Sequence, residues 1–240
     1  AYNTKPWLKF VVQFLCGACL IVFNQHIKIF DNQIINWLIT MVWVIGMMNS
    51  INMLDNMDAI TTSVSIFILL NALATLALKG QATEVIFVIL LGVLGALIGF
   101  LFFNWNPSKL YMGDTGSQFL GMLLAVVGIK YFWNIDIPQG SAGIIKPFIS
   151  VGLVFLLPLV DTTTVTINRL KRKQSPFVGG RDHTTHCLVY AGLTDSQVAL
   201  AFCGISLVGL LLNISLLYFI NSWTWLHVAL YAAFGIFVFG

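Results

Sequence analysis

Three short stretches of this sequence gather carboxylates, amides, histidines and glycines at spacings suited to phosphate or metal chemistry. The first runs from Asn49 to Asp58. Residues three apart share a helical face, so Asn49, Asn52 and Asp55 form a row that Asp58 continues if the helix persists. Such a row offers oxygen ligands to a hard cation or hydrogen bonds to a polar substrate. Asn and Asp near a helix end also act simply as caps, which is the plainer reading. The second stretch runs from Phe103 to Ser117, with Asn104, Pro107, Met112, Gly113, Asp114 and Gly116. Its glycines let the backbone turn closely around a ligand, and free N–H groups at the next helix start attract phosphate. Asp114 would repel that phosphate, and a divalent cation between the two resolves the conflict. A plain polar turn is the alternative. The third stretch starts at Pro158 and Asp161 and ends in a loop holding Gly180, Arg181, Asp182, His183 and His186. That loop could grip a diphosphate or move protons. It could equally be a solvated loop, and His183, His186 and Cys187 lack the second ligand pair of a zinc site.

The elements that must position these residues are membrane spans. Of 240 residues only 9% are charged and 58% are hydrophobic, and the mean hydropathy is +0.91, far from a soluble domain's balance. Apolar runs long enough to cross about 30 Å of hydrocarbon recur. They predict an all-α polytopic helix bundle with about eight spans, at 7–23, 34–51, 59–78, 85–103, 116–133, 147–167, 198–220 and 223–240. Pro158 should disturb the sixth span just before Asp161. Gly95 and Gly99 form a small-residue pattern that admits a close helix neighbour. Trp7, Trp37, Trp43 and Trp223 read as interfacial anchors, and His227 as an interior residue near the middle of the last span.

Orientation follows from the positive charges. Placing the loop 168–197 inside puts Lys5, Lys9, Lys109, Arg169, Lys171, Arg172, Lys173 and Arg181 on the cytoplasmic side. Lys28, Lys79, Lys130 and Lys146 then face outward, an asymmetry of the expected sign. Six of the nine acids also fall inside. Acids hardly affect topology, so their clustering points to a site. Thinly spread basic residues give no footing for nucleic acid, and the four cysteines form no disulfide framework. The chain begins without Met and stops inside an apolar run, so a fragment truncated at both ends is expected. Residues 1–240 are read as a single transmembrane domain.

Together the three stretches resemble the polyprenyl-phosphate N-acetylhexosamine-1-phosphate transferase family. Asn49, Asn52, Asp55, Asp58 and Ile60 match its N-x-x-N-x-x-D-G-x-D-G-L element, with Asn56 and Ala59 in place of the two glycines. Phe103, Asn104, Pro107, Tyr111, Met112, Gly113, Asp114, Gly116 and Ser117 match its second element, and the proline–Asp161 segment and histidine loop its third. Two histidines separated by Thr-Thr are similar to the N-acetylglucosamine-1-phosphate branch. The resemblance implies transfer of an N-acetylhexosamine 1-phosphate from a UDP-sugar to a polyprenyl phosphate, releasing UMP, in cell-envelope glycan assembly. It implies Mg²⁺ as cofactor, held by Asp114, and catalytic roles for Asp55, Asp58, Asp114, His183 and His186. Asn49, Asn52, Asn104, Asp161, Arg181 and Asp182 would bind substrate. It implies a multi-pass protein of the bacterial inner membrane with its site facing the cytoplasm, partnered by membrane lipid and compatible with a homodimer. An adjacent Asp pair of the family is absent, and Ala1 to Gln13 is similar to the family segment immediately after that pair, so this fragment is expected to be inactive. The rival readings are a cation-coupled transporter, with carboxylates and broken helices at the bilayer midplane, and a non-catalytic protein of the same fold.

Overall fold

A computed structural model describes residues 6–173, 180, 182–220 and 222–239. The regular elements among them are all helical: α1 (Pro6–Val22), α2 (Gln33–Leu54), α3 (Ile60–Leu78), α4 (Val85–Asn104) and α5 (Gly113–Gly128), which runs on through a π-helical turn, Ile129–Trp133. After them come α6 (Lys146–Val154), α7 (Leu156–Lys171), α8 (Thr184–Tyr190), α9 (Asp195–Tyr218) and α10 (Trp225–Phe239). The all-α polytopic bundle is therefore present, but not as eight full spans. Among the described residues five helices are long and apolar enough to cross a membrane: α2, α3, α4, α5 with its π turn, and α9. At 17 and 15 residues, α1 and α10 reach only about 26 and 23 Å at 1.5 Å per residue.

The sixth expected span is two helices, α6 and α7, bent by 85°. The break falls at Phe155 (φ −106°, ψ 21°), earlier than the sequence suggests. A proline ring collides with the carbonyl four residues before it, which for Pro158 is that of Val154, the last residue of α6. Taken together the bent pair is long and apolar enough to count as a sixth span. Its N-terminal end follows the far end of α5, where Asn134 bonds the backbone of His26 and Lys28. Its C-terminal end joins the polar end of the bundle through Thr162, which donates to Ser50 Oγ at 2.9 Å.

At the centre, α2 is packed by α1, α5 and α7, while α3 is packed by α4, α5 and α9. Close approach of α2 and α5 requires Gly121, where a Cβ would lie 2.7 Å from Met48 Cα. Trp43 is no interfacial anchor. It is buried, donates to the Ala125 carbonyl at 3.0 Å, and meets the Trp133 and Phe155 rings edge-on. In the dry interior Asn213 joins three helices, donating to Asn71 Oδ1 (2.8 Å) and accepting from Ser150 Oγ (2.7 Å). Most of α4 faces outward, and no described residue packs against Gly95 or Gly99, so the small-residue pattern meets no helix here. His227 sits in the first turn of α10 rather than mid-span, accepting from the Thr224 backbone and stacking on Trp223.

Candidate active site

The C-terminal end of α2, the N-terminal ends of α3 and α5, and the histidine segment meet at one end of the bundle. Gly113 (φ +69°) turns the chain through a left-handed conformation natural to glycine and places Asp114 in the first turn of α5. A carboxylate there is favoured by the helix dipole. Asp114 Oδ2 pairs with the Lys9 ammonium, and its Oδ1 accepts from Asn52 Nδ2 at 3.1 Å. Asn52 also donates to Ser117 Oγ at 2.8 Å.

Asp55 caps the C-terminus of α2 and faces the same place. Burial, and after it the Asp114 charge, pushes its carboxyl up to about 6, against a stabilising hydrogen bond from the Gly113 amide. The two carboxylates repel one another, and among the described residues Lys9 is the cation that pairs with Asp114. Among the described residues no group of three or more His, Cys, Asp or Glu is placed to hold a metal. A pair of carboxylates nevertheless suits Mg²⁺, which keeps several waters and completes its shell with substrate phosphates. Asp114, whose side chain is 64% exposed, and Asp55 therefore fit that ion.

One helical turn below, Gln13 and Asn49 exchange side-chain hydrogen bonds at 3.1 and 3.0 Å, and Gln13 also donates to Gln118 at 3.0 Å. Lys9 and Gln13, like Asp114 and Gln118, are four residues apart, so this amide rung holds α1 in the register that brings Lys9 to Asp114. Asn49 thus serves the packing of three helices.

The helix does not persist to Asp58. α2 ends at Leu54, and Asp58 instead accepts from Asn106 Nδ2 and the Ser108 amide, both at 3.0 Å. Asn104 is buried. Its Oδ1 accepts from the Ala59 amide (3.1 Å) and Thr62 (2.8 Å), and its Nδ2 donates to the Leu110 carbonyl (2.9 Å). Both residues tie the loop before α3 to the loop after α4.

Asp161 is 1% exposed. Its Oδ2 lies 2.8 Å from His183 Nδ1, while Oδ1 accepts from the Thr184 amide (2.8 Å) and hydroxyl (2.7 Å). A carboxylate only accepts, so Nδ1 carries the hydrogen, and in the neutral imidazole Nε2 is then the acceptor nitrogen. Asp182 is held by a two-pronged bond from Arg169, Nε at 2.8 Å and Nη2 at 2.7 Å, which draws its carboxyl down to about 2. His186 stands with its ring 6.2 Å from that of His183. Arg181 lies outside the described residues.

The structure thus brings Asn52, Asp55 and Asp114 into one cluster and Asp161, Asp182, His183 and His186 into another. Asp161 and Asp182 spend their oxygens on the protein's own groups. Sequence reasoning missed Lys9, Gln13 and Arg169. The four-residue spacing of Lys9 and Gln13 was the available signal; nothing local marks Arg169 as the partner of Asp182.

The family model for glycosyl transferase family 4 matches residues 1–132. Over 238 residues the chain is 27% identical to a Bacillus subtilis protein named "Probable undecaprenyl-phosphate N-acetylglucosaminyl 1-phosphate transferase", covering 95% of the chain and 63% of that protein. It is 30% identical over 190 residues to a phospho-N-acetylmuramoyl-pentapeptide-transferase of Streptococcus sanguinis, covering 73% of the chain and 52% of the relative. A transferase of the same name from Lactococcus lactis subsp. cremoris is 41% identical over 88 residues, 37% of the chain and 26% of the relative. The chain thus spans less than two thirds of the length of these curated relatives.

Proposed function

This chain belongs to glycosyl transferase family 4, and from that membership and the site we propose that the intact protein transfers N-acetylhexosamine 1-phosphate from a UDP-sugar to a polyprenyl phosphate. N-acetylglucosamine is the favoured sugar, supported by the Thr-Thr spacing of His183 and His186 and by the Bacillus subtilis relative. In the reaction an oxygen of the acceptor phosphate bonds to the phosphorus attached to the sugar, and UMP leaves. The observation that carries this reading is the meeting of Asp55 and Asp114, with Lys9 and Asn52, at the end of an apolar helix bundle. An isoprenoid tail stays in hydrocarbon while its phosphate lies at headgroup depth, the level of span ends.

Asp114 and Asp55 would hold Mg²⁺, which when bound neutralises diphosphate charge. Asn52 orients the Asp114 carboxylate. Lys9 brings a point charge that can pair with a phosphate. His183, its Nδ1 hydrogen fixed by Asp161, presents Nε2 as an acceptor for a donor group or proton, with His186 and Arg181 completing the loop. Positive charge placement supports a cytoplasmic orientation in a bacterial plasma membrane.

A transporter would set ionisable groups at a midplane break. The break at Phe155 is surrounded instead by Trp43 and Phe132. The test is a transferase assay of the intact protein in membranes, with a panel of UDP-sugars and polyprenyl phosphate, with and without Mg²⁺. UMP release should require Mg²⁺ and disappear in Asp114→Asn. Transfer retained in that variant removes Asp114 from the proposed role.

A further inference from the structure

Asn56 sits between Asp55 and Asp58, and its side chain reaches in two directions. Its Nδ2 donates to the Met53 carbonyl at 2.9 Å, satisfying an acceptor left open in the last turn of α2. Its Oδ1 accepts from Thr185 Oγ1 at 2.6 Å. Thr185 is fully buried and lies in α8 between His183 and His186. One side chain therefore links the segment carrying the carboxylates to the helix carrying the histidines. Glycine at 56 could make neither bond, and alanine neither.

Each segment has its own anchor elsewhere. Asp55 hangs from the end of α2, Asp58 is held by Asn106 and Ser108, and the histidine segment is held by Asp161. Asp161 and Asp55 sit on α7 and at the end of α2, which meet further back through Thr162 and Ser50, and Asn106 and Ser108 lie in the loop after α4. The bond from Thr185 to Asn56, by contrast, joins the carboxylate loop to α8 directly. We propose that Asn56 is a positioning residue that sets the separation of the Asp55–Asp114 cluster from His183 and His186 by gripping Thr185. This rests on the transferase reading of the same site. The bond between an amide oxygen and a buried hydroxyl cannot be replaced by water without opening the loop, since Thr185 has no exposed surface. Loss of the grip shifts one reacting group against the other, an error to which in-line transfer is sensitive.

The test is kinetic and uses the intact protein. Asn56→Ala and Thr185→Val should each lower kcat by about tenfold, the effect of one buried hydrogen bond, with KM for the UDP-sugar within about twofold. The double variant should be no slower than either single one, because both remove the same bond. Thr185→Ser, which keeps the hydroxyl, should restore kcat. Independently of turnover, amide hydrogen exchange at residues 55–59 should quicken about tenfold in Thr185→Val and not in Thr185→Ser. If Asn56→Ala does not fold, the Val and Ser pair at 185 carries the comparison alone. An active parent with unchanged kcat in Thr185→Val, or effects that multiply in the double variant, overturns the positioning role. A parent inactive with every UDP-sugar overturns the transferase reading instead, and the exchange experiment then still decides whether the grip exists.

Discussion

Replacing Asp161 by asparagine separates what its charge does from what its shape does. The native carboxylate accepts three hydrogen bonds, from His183 Nδ1 and from the amide and hydroxyl of Thr184, in a site that is 1% exposed. Asparagine keeps an oxygen for Thr184 but presents an NH₂ group to His183. To avoid two donors facing each other, the imidazole must carry its hydrogen on Nε2, reversing the acceptor it offers the site. Bonds to a charged acceptor contribute about 1.5–3 kcal/mol and neutral ones about 0.5–1.5. Three such exchanges lose about 3–4 kcal/mol, and no longer burying a full charge offsets part of that. Asp161→Asn should therefore cost about 2 kcal/mol, a fall of roughly 4–8 °C in the unfolding midpoint at this chain length. Transfer should fall much further, by about 10²- to 10⁴-fold, the scale seen where a buried carboxylate fixes a catalytic imidazole tautomer. Asp161→Ala leaves three donors without a partner, one buried on His183 and two part-buried on Thr184, and should cost about 3–5 kcal/mol in addition to losing activity. Thermal unfolding in detergent, run beside UMP release, measures both quantities. Asp161→Asn with more than a tenth of parental transfer would refute the tautomer argument, because its geometry predicts a large kinetic loss for a small structural one.

Three further outcomes are expected at the same end of the bundle. The folded pKa of Asp55, about 6 against 3.8 for an ordinary carboxyl, means the ionised form is penalised in the metal-free protein, with stability falling between about pH 4 and 6 and level above. Asp55→Asn should lose transfer yet raise stability at pH 7.5 by up to about 1–2 kcal/mol after solvent screening, with no gain at pH 4; an equal gain at both pH values speaks against the raised pKa. Gln13→Leu removes the amide rung and should cost about 1–3 kcal/mol and lower kcat about tenfold as Lys9 loses its register, read by melting and turnover; parental kcat would sever the rung from Lys9. The depressed pKa of Asp182 gives the Arg169 pair a stabilising effect that is complete above about pH 4 and lost as pH falls through about 2. Arg169→Lys, which lacks the planar fork, should flatten that acid limb in pH-dependent melting, and an unchanged limb would place the acid sensitivity elsewhere.

The apolar runs made the bundle legible, because crossing hydrocarbon demands length and composition that no soluble segment needs. The Asn52 and Asp55 pair was legible too, since residues three apart on a helix end stay together wherever that helix goes, whereas placing Asp114 beside them rested on the family resemblance. What could not be read was which remote segment each polar group would meet. Asp58 depends on where α2 stops, one residue before Asp55, and its partners lie some fifty positions away at Asn106 and Ser108. Asp161 and Asp182 read as substrate ligands through the family resemblance, which does not tell which side chains their oxygens meet in this chain. Asp161 is buried against His183 and Asp182 is paired with Arg169, partners 22 and 13 positions away that no local pattern around either acid marks. Lys9 and Gln13 carried their four-residue signal in plain view, but their meaning required α5 alongside.

The contact of Asn213 with Asn71 and Ser150 also bears on how the chain is made. Helices α3 and α6 leave the ribosome before α9, so two of the three polar groups enter the bilayer while their common partner is still unsynthesised. Until residue 213 arrives, the Asn71 amide must find a makeshift partner or draw a water inward, and either choice keeps α3 from settling among its neighbours. The order of synthesis thus makes α9 the closing piece. Nascent chains whose residue 213 has not left the ribosome should expose α3 to labelling, and chains in which α9 has been released into the bilayer should protect it, so that assembly is a late step.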